Sequence, residues 1–133
     1  MSKVLFVCVA NGGRSVIAER IFNQLAGSRH EARSAGSEPG ADAHPLVVEA
    51  LKEIGIDASD HVPRLLDEER IQWSDQIVST CQEEVCPVTF GKPRTSWEFP
   101  DPKNRPLEEV RQIRDEIRER VEELLADLDA KRA

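Results

Sequence analysis

The chain has 133 residues, a formal net charge of −7 and 32% charged residues. This length suits one domain, residues 1–133, with an ordinary hydrophobic core. The acidic balance excludes a nucleic-acid backbone as a favourable partner, and no stretch approaches the roughly 18 apolar residues of a membrane span. Three cysteines, an odd number, argue against a static disulfide framework and predict a reducing cytoplasm.

An apolar run at residues 4–8 predicts a parallel strand that is buried on both faces. A loop with two glycines follows it, and apolar residues at helical spacing then predict a helix over Arg14–Ala26 that ends at Gly27. Strand, tight loop and helix together form an anion site, because the loop N–H groups converge and the helix N-terminus adds partial positive charge.

Cys8 lies at the base of this predicted cradle, where N–H donors, the helix dipole and Arg14 all favour its thiolate. Arg14 can hold two oxygens of a tetrahedral anion, and Ser15 can donate a hydrogen bond to the sulfur. The expected oxyanion-binding residues are Val9, Ala10, Asn11, Gly12, Gly13, Arg14 and Ser15. From these residues alone a structural interpretation stays open, with Cys8 as a small core residue and Arg14 solvated.

Two further strands are predicted at residues 32–35 and 76–79, and a candidate fourth strand covers residues 95–99. Since ligands bind at the carboxyl ends of strands in an open α/β sheet, we expect Cys8 and Cys81 to approach the same face.

Three more helices complete the prediction. Pro45 opens a helix with an apolar stripe that ends at Gly55, and Asp67 caps a short helix within residues 63–73. The last helix begins near Pro106, and its stripe is Leu107, Val110, Ile113, Ile117, Val121, Leu124 and Leu128. His44 and His61 have no motif partner, and we expect structural roles for both.

The pattern Cys8-x5-Arg14-Ser15, continued by Ala18-Glu19, resembles the phosphate loop of the low-molecular-weight protein tyrosine phosphatase superfamily, which also contains thioredoxin-coupled arsenate reductases. Ser34-Ala35-Gly36, the 44–61 region, the later cysteines and Asp101-Pro102 extend the resemblance. It implies an α/β, flavodoxin-like three-layer sandwich, with a four-stranded parallel sheet and helices on both faces. The family commonly places a second cysteine just before the arginine, where this chain has Gly13.

The arsenate reductases of this family use three cysteines as a relay. The resemblance implies that Cys8 attacks arsenate, Cys81 then attacks Cys8 and releases arsenite, and Cys86 finally attacks Cys81. Thioredoxin and NADPH would supply the electrons without a bound cofactor, and phosphate or sulfate would compete as oxyanions. Two other interpretations stay open for Cys81 and Cys86. One is a metal site, although no histidine lies nearby in the sequence. The other is that they are two unrelated free thiols.

Asp101 matches the family's general acid, since a partly shielded carboxyl group beside a bound oxyanion can donate a proton to the departing oxygen. Some of these arsenate reductases also hold a potassium ion near the loop. Asn11, Glu19 and Ser34 match that site, but Arg64 stands where an acid is expected. We therefore expect no metal site.

Two other functions remain open. A low-molecular-weight tyrosine phosphatase would hydrolyse phosphate monoesters through a Cys8 phospho-enzyme, but the chain has no tyrosine to stack a substrate ring, and Lys103 follows Asp101-Pro102. A non-catalytic oxyanion-binding module needs neither thiol chemistry nor an acid. Arsenate reduction is the best-supported prediction, and we expect a monomer.

Overall fold

The computed structural model describes residues 2–80 and 94–132. Its four strands are β1 (Lys3–Cys8), β2 (Glu31–Gly36), β3 (Gln76–Ser79) and β4 (Arg94–Ser96), and its helices are α1 (Arg14–Ala26), α2 (Pro45–Lys52), α3 (Glu68–Trp73) and α4 (Leu107–Arg132). All strand pairs are parallel, in the order β2-β1-β3-β4. This is the predicted four-stranded α/β architecture. No helix among the described residues is long and apolar enough to cross a bilayer.

The apolar run of β1 is buried on both faces, as its composition predicts. Val4 and Phe6 pack in the larger core with α1, α2 and α4. Leu5 and Val7 pack on the opposite face with Ile71 of α3. Helices therefore cover both faces of the sheet, and β1 lies at its centre.

Most element boundaries agree with the sequence prediction. Helix α1 ends at Gly27, whose φ is 60°, and the Asp67 side chain caps α3 by accepting from the Arg70 N–H. Helix α2 ends at Lys52, before the turn that leads to Gly55. The fourth strand is shifted from 95–99 to Arg94–Ser96. The Trp97 N–H still donates to the Ser79 carbonyl at 2.7 Å, and the Trp97 and Phe99 side chains pack in the larger core.

A buried histidine, His30, forms hydrogen bonds at the amino-terminal ends of the strands. The Ser2 N–H donates to His30 Nδ1 at 3.0 Å, so the other ring nitrogen, Nε2, carries the proton and donates to Asp129 at 2.8 Å. Arg29 also binds Asp129. These bonds join the end of α4 to the starts of β1 and β2, far from the carboxyl ends of the strands.

Gly36, the last residue of β2, lies directly against the loop that follows β1. A Cβ atom at this position would lie 2.5 Å from the Val9 carbonyl oxygen and 2.8 Å from the Asn11 amide nitrogen. The backbone of Gly36 also exchanges hydrogen bonds with Arg64 and Leu66 on its other side. The Val9 oxygen and the Asn11 nitrogen are backbone atoms, so neither can rotate away from a side chain at position 36.

We expect Gly36→Ala to lower the free energy of unfolding by about 2–3 kcal/mol, because the methyl group must displace the loop backbone. Gly40→Ala is the matched control, since its Cβ would lie 4.0 Å from the nearest atoms, both of Ala10. Urea denaturation measures both variants. Equal losses for the two would show that the close approach at Gly36 does not constrain the loop.

Candidate active site

The loop between β1 and α1 is held in place by hydrogen bonds that its carbonyl groups accept. The carbonyl oxygens of residues 8, 9, 10 and 12 accept backbone N–H groups of the 37–44 segment, at 2.8–3.2 Å. The Asn11 carbonyl accepts from His61 Nε2 at 2.8 Å. In a trans peptide the N–H points opposite to the preceding carbonyl. The amides of residues 9–13 therefore face away from these partners, toward a cavity of about 150 Å³.

Cys8 ends β1 at the floor of this cavity and is 3% exposed. Its sulfur accepts the Asn11 amide N–H at 3.2 Å and lies 2.9 Å from Ser15 Oγ. The Asn11 side chain donates from Nδ2 to Ser15 Oγ at 2.8 Å, which leaves the serine proton free to point at the sulfur. Two donors thus converge on the Cys8 sulfur.

Asn11 is the anchor of this network. Its φ of 51° lies in the left-handed region, which asparagine tolerates better than most residues. Its Oδ1 accepts the Arg64 N–H at 2.9 Å, which orients the amide so that Nδ2 faces Ser15. Burial lowers the pKa of His61, although its bond to the Asn11 carbonyl opposes that effect. A neutral His61 with its proton on Nε2 satisfies this bond.

Arg14, the first residue of α1, is 4% exposed and lines the same cavity. Its Nη1 donates to the Phe99 carbonyl oxygen at 3.0 Å, and its Nη2 lies 4.0 Å from Asp101 Oδ2. The guanidinium is therefore positioned by the segment that follows β4. That segment also carries the predicted acid.

Asp101 is presented by a tight turn between two prolines. Its Oδ1 accepts the Lys103 N–H at 3.0 Å, and its carbonyl oxygen accepts from Arg105 Nε at 2.6 Å. Asn104 completes the turn with a φ of 62°. The Asp101 side chain is 48% exposed, so it lies at the mouth of the cavity rather than deep within it.

The structure brings four predicted catalytic residues together, namely Cys8, Arg14, Ser15 and Asp101. Cys81 and Cys86 lie outside the described residues, so their roles stay predictions. Thr80, the last described residue before Cys81, donates from N and Oγ1 to the Val7 carbonyl at 2.9 Å. Among the predicted residues whose structure is described, none lies on the opposite edge of the sheet.

Sequence reasoning missed several contributors. The side chain of Asn11 orients Ser15, and the Phe99 carbonyl holds Arg14. His61 has the structural role expected for it, because it supports the loop through the Asn11 carbonyl. His44 and Lys103 line the cavity beside Asp101. Only Asn11 carried a usable signal, because asparagine is enriched at left-handed positions in loops.

Two of the residues that match the family's potassium site, Glu19 and Ser34, line a second polar cavity of about 230 Å³. Arg20 and Arg64 line it with Glu19 and Ser34, and Arg20 Nε lies 3.5 Å from a Glu19 oxygen. Burial raises the pKa of Glu19, while the charge of Arg20 opposes this. Asp60 also lines the cavity, and Arg20 pairs with it at 3.1 Å. Since Arg20 neutralises both Glu19 and Asp60, this set does not fit an alkali cation, and the expectation of no metal ion stays a prediction.

We expect Ser15→Ala to slow alkylation of Cys8 by iodoacetamide at neutral pH about tenfold, since the thiolate loses a hydrogen bond. Asn11→Ala should slow it as well, because Ser15 then lacks its orienting donor. Peptide mass spectrometry reads the modification of Cys8 separately from the other cysteines. Ser59→Ala, in an exposed turn, is the control. An unchanged rate in Ser15→Ala would contradict the proposed donor role.

Comparison with known proteins agrees with this geometry. The model of the low molecular weight phosphotyrosine protein phosphatase family matches residues 3–133. An arsenate reductase of Staphylococcus epidermidis is 33% identical over 122 residues, which cover 90% of this chain and 92% of that protein.

Solved structures of both kinds of enzyme share the fold. A thioredoxin-dependent arsenate reductase of Corynebacterium glutamicum is 37% identical with a TM-score of 0.85, and the match covers 98% of this chain and 63% of that one. A low molecular weight protein tyrosine phosphatase from T. tengcongensis is 30% identical with a TM-score of 0.85, covering 96% and 99% of the two chains. This chain belongs to the low molecular weight phosphotyrosine protein phosphatase family.

Proposed function

We propose that this protein is an arsenate reductase that uses Cys8 as its nucleophile and converts arsenate to arsenite. One observation carries the proposal. The sulfur of Cys8 lies at the floor of a loop whose amides face a small cavity, in a chain 33% identical to an arsenate reductase over 90% of its length. Arsenate is a tetrahedral oxyanion and fits the chemistry of such a cradle.

The first step forms a sulfur–arsenic bond. The loop amides and Arg14 hold three oxygens of arsenate, and the Cys8 thiolate attacks arsenic from below. The fourth oxygen leaves toward the mouth of the cavity as hydroxide. Asp101 lies at that mouth, 4.0 Å from Arg14, and donates the proton that turns the leaving group into water.

The second step is the reduction itself. The Cys81 thiolate attacks Cys8 Sγ, a sulfur–sulfur bond forms, and the electron pair of the sulfur–arsenic bond passes to arsenic. Arsenic changes from the +5 to the +3 state and leaves as arsenite. The bonds from Thr80 to Val7 support this step, because they hold the residue before Cys81 beside the carboxyl end of β1.

The third step restores Cys8. The Cys86 thiolate attacks Cys81, which frees the Cys8 thiolate and leaves an 81–86 disulfide. Thioredoxin reduces this disulfide with electrons from NADPH, so the enzyme needs no bound cofactor. The enzyme acts as a monomer in the cytoplasm, where free thiols persist. Phosphate and sulfate compete with arsenate for the loop.

A phosphatase is the second candidate, since Cys8, Arg14 and Asp101 also suffice for hydrolysis of a phosphate monoester. The 30% identity to a low molecular weight tyrosine phosphatase favours it. The cavity wall opposes it, because His44 and Lys103 line the mouth and the chain has no tyrosine to stack a substrate ring.

Cysteine substitutions separate the two candidates. We expect Cys8→Ser to abolish arsenate reduction and hydrolysis of an aryl phosphate, because a hydroxyl is far less acidic than a thiol. Cys81→Ser and Cys86→Ser should stop arsenate turnover and spare slow hydrolysis. Arsenate-dependent NADPH oxidation with thioredoxin and thioredoxin reductase measures the first activity, and release of the aryl alcohol measures the second.

Multiple turnovers of arsenate by Cys81→Ser would contradict the relay. Hydrolysis that is fast in all variants containing Cys8, without arsenate-dependent NADPH oxidation, would favour the phosphatase. A low-molecular-weight thiol in place of thioredoxin is the control for the reductant.

A further inference from the structure

The wall of the active-site cavity contains a histidine that the steps above do not use. His44 directly precedes α2 and is fixed by its backbone. Its N–H donates to the Gly12 carbonyl at 2.8 Å, and its own carbonyl oxygen accepts the N–H groups of Val47 and Val48 at 3.0 and 3.1 Å. The residue therefore connects the loop to the start of a helix, and its Cα has little freedom.

The imidazole ring of His44 lies over the two loop glycines. A Cβ atom at Gly13 would lie 3.0 Å from His44 Cδ2 and 2.8 Å from Pro102 Cγ, and one at Gly12 would lie 3.3 Å from His44 Cε1. The absent side chains leave the space that His44 and Pro102 fill. At Gly13 two rings from outside the loop therefore occupy the space that a loop side chain would need.

His44 has no hydrogen bond to its ring nitrogens within residues 2–80 and 94–132. The other two histidines differ from it. His30 uses both ring nitrogens, and His61 uses Nε2 on Asn11. His44 is half-buried and shares its cavity with Cys8, Arg14 and Asp101. The ring N–H of His44 therefore has no acceptor among the described residues, and a bound anion would supply one.

Burial of the His44 ring favours its neutral form before an anion binds. Burial lowers the pKa of His44, Lys103 and Arg14 lower it further, and Asp101 opposes them. Cys8 lines the same cavity, and the negative charge of its thiolate would raise the pKa of His44, as Asp101 does. A bound dianion adds two negative charges beside the ring, so it raises the pKa and strengthens the hydrogen bond.

We propose that His44 is a specificity-determining residue of this site. Its imidazole N–H binds an oxygen of the tetrahedral anion, and its ring, with Pro102, narrows the mouth above Gly12 and Gly13 in favour of a small inorganic oxyanion over an aryl ester. This deepens the proposed function by defining its substrate class. It requires only that the cradle binds oxyanions.

The first experiment follows the ring protons of the three histidines by NMR during pH titrations with and without sulfate. Sulfate is the probe because it stays a dianion over the whole titration. Cys8→Ser is used as the protein, since it removes both covalent chemistry and the thiolate charge. We expect sulfate to move the His44 titration midpoint to higher pH and to leave His30, at the opposite edge of the sheet, unchanged.

A His44 midpoint that does not move, while sulfate shifts the loop amide signals, would overturn the proposal and leave the cradle intact. No shift at either place would overturn both. Because arsenate chemistry takes no part in this measurement, failure of the reductase relay does not affect its outcome.

The second experiment compares His44→Ala, His44→Gln and the wild-type protein. Loss of one hydrogen bond to a charged group predicts about a tenfold higher Kd for inorganic phosphate in His44→Ala, with partial recovery in His44→Gln, which retains a donor. Calorimetry measures the Kd. The kcat/KM for an aryl phosphate should fall by a smaller factor than the Kd for phosphate rises, because the wider mouth in His44→Ala offsets part of the lost hydrogen bond.

Leu46→Ala is the matched control, since Leu46 lies two residues away on α2 and is exposed. A phosphate Kd in His44→Ala within twofold of the control would overturn the anion contact. An equal loss for phosphate and the aryl ester would overturn the role in specificity and indicate general damage to the loop.

Discussion

The site depends on the hydrogen bonds that hold the outer side of the loop after β1. Each carbonyl oxygen from Cys8 to Gly12 accepts a donor from outside the loop, four from backbone amides and one from His61. This fixes the direction of every peptide plane, and the N–H groups are left to face the cavity. A donor array that is oriented before the anion arrives costs little reorganisation when it binds.

The same network explains how an acidic protein of net charge −7 can bind an oxyanion. Attraction over long range is absent, so the positive potential is built locally from peptide dipoles, the N-terminus of α1 and Arg14. The Phe99 carbonyl restrains the guanidinium, and Asp101 lies beside it at the mouth. One segment, which follows β4, thus positions both the guanidinium and the carboxyl group that we propose as the acid.

Gly13 links the loop to its surroundings. A side chain at this position would overlap Pro102 and crowd His44, so the glycine and the two rings form one packing unit. The volume that one residue gives up at position 13 is taken by residues about 30 and 90 positions away in the sequence, and this sets the shape of the cavity mouth.

The sequence by itself determined the elements that depend on neighbouring residues. These are the buried strand β1, the glycine loop, helix α1 and the Asp67 cap of α3, and with them the pairing of Cys8 and Arg14 within one cradle. Each follows from periodicity or capping over a few positions.

Tertiary structure decided the contacts that join distant segments. Arg14 and the Phe99 carbonyl are 85 positions apart, and His61 and Asn11 are 50 apart. The roles of His61 and His44 also depend on the order β2-β1-β3-β4, which places their loops at the carboxyl end of β1. Local patterns carry no record of such contacts, because a hydrogen bond or a ring packed on a glycine depends on where the sheet brings the chain back.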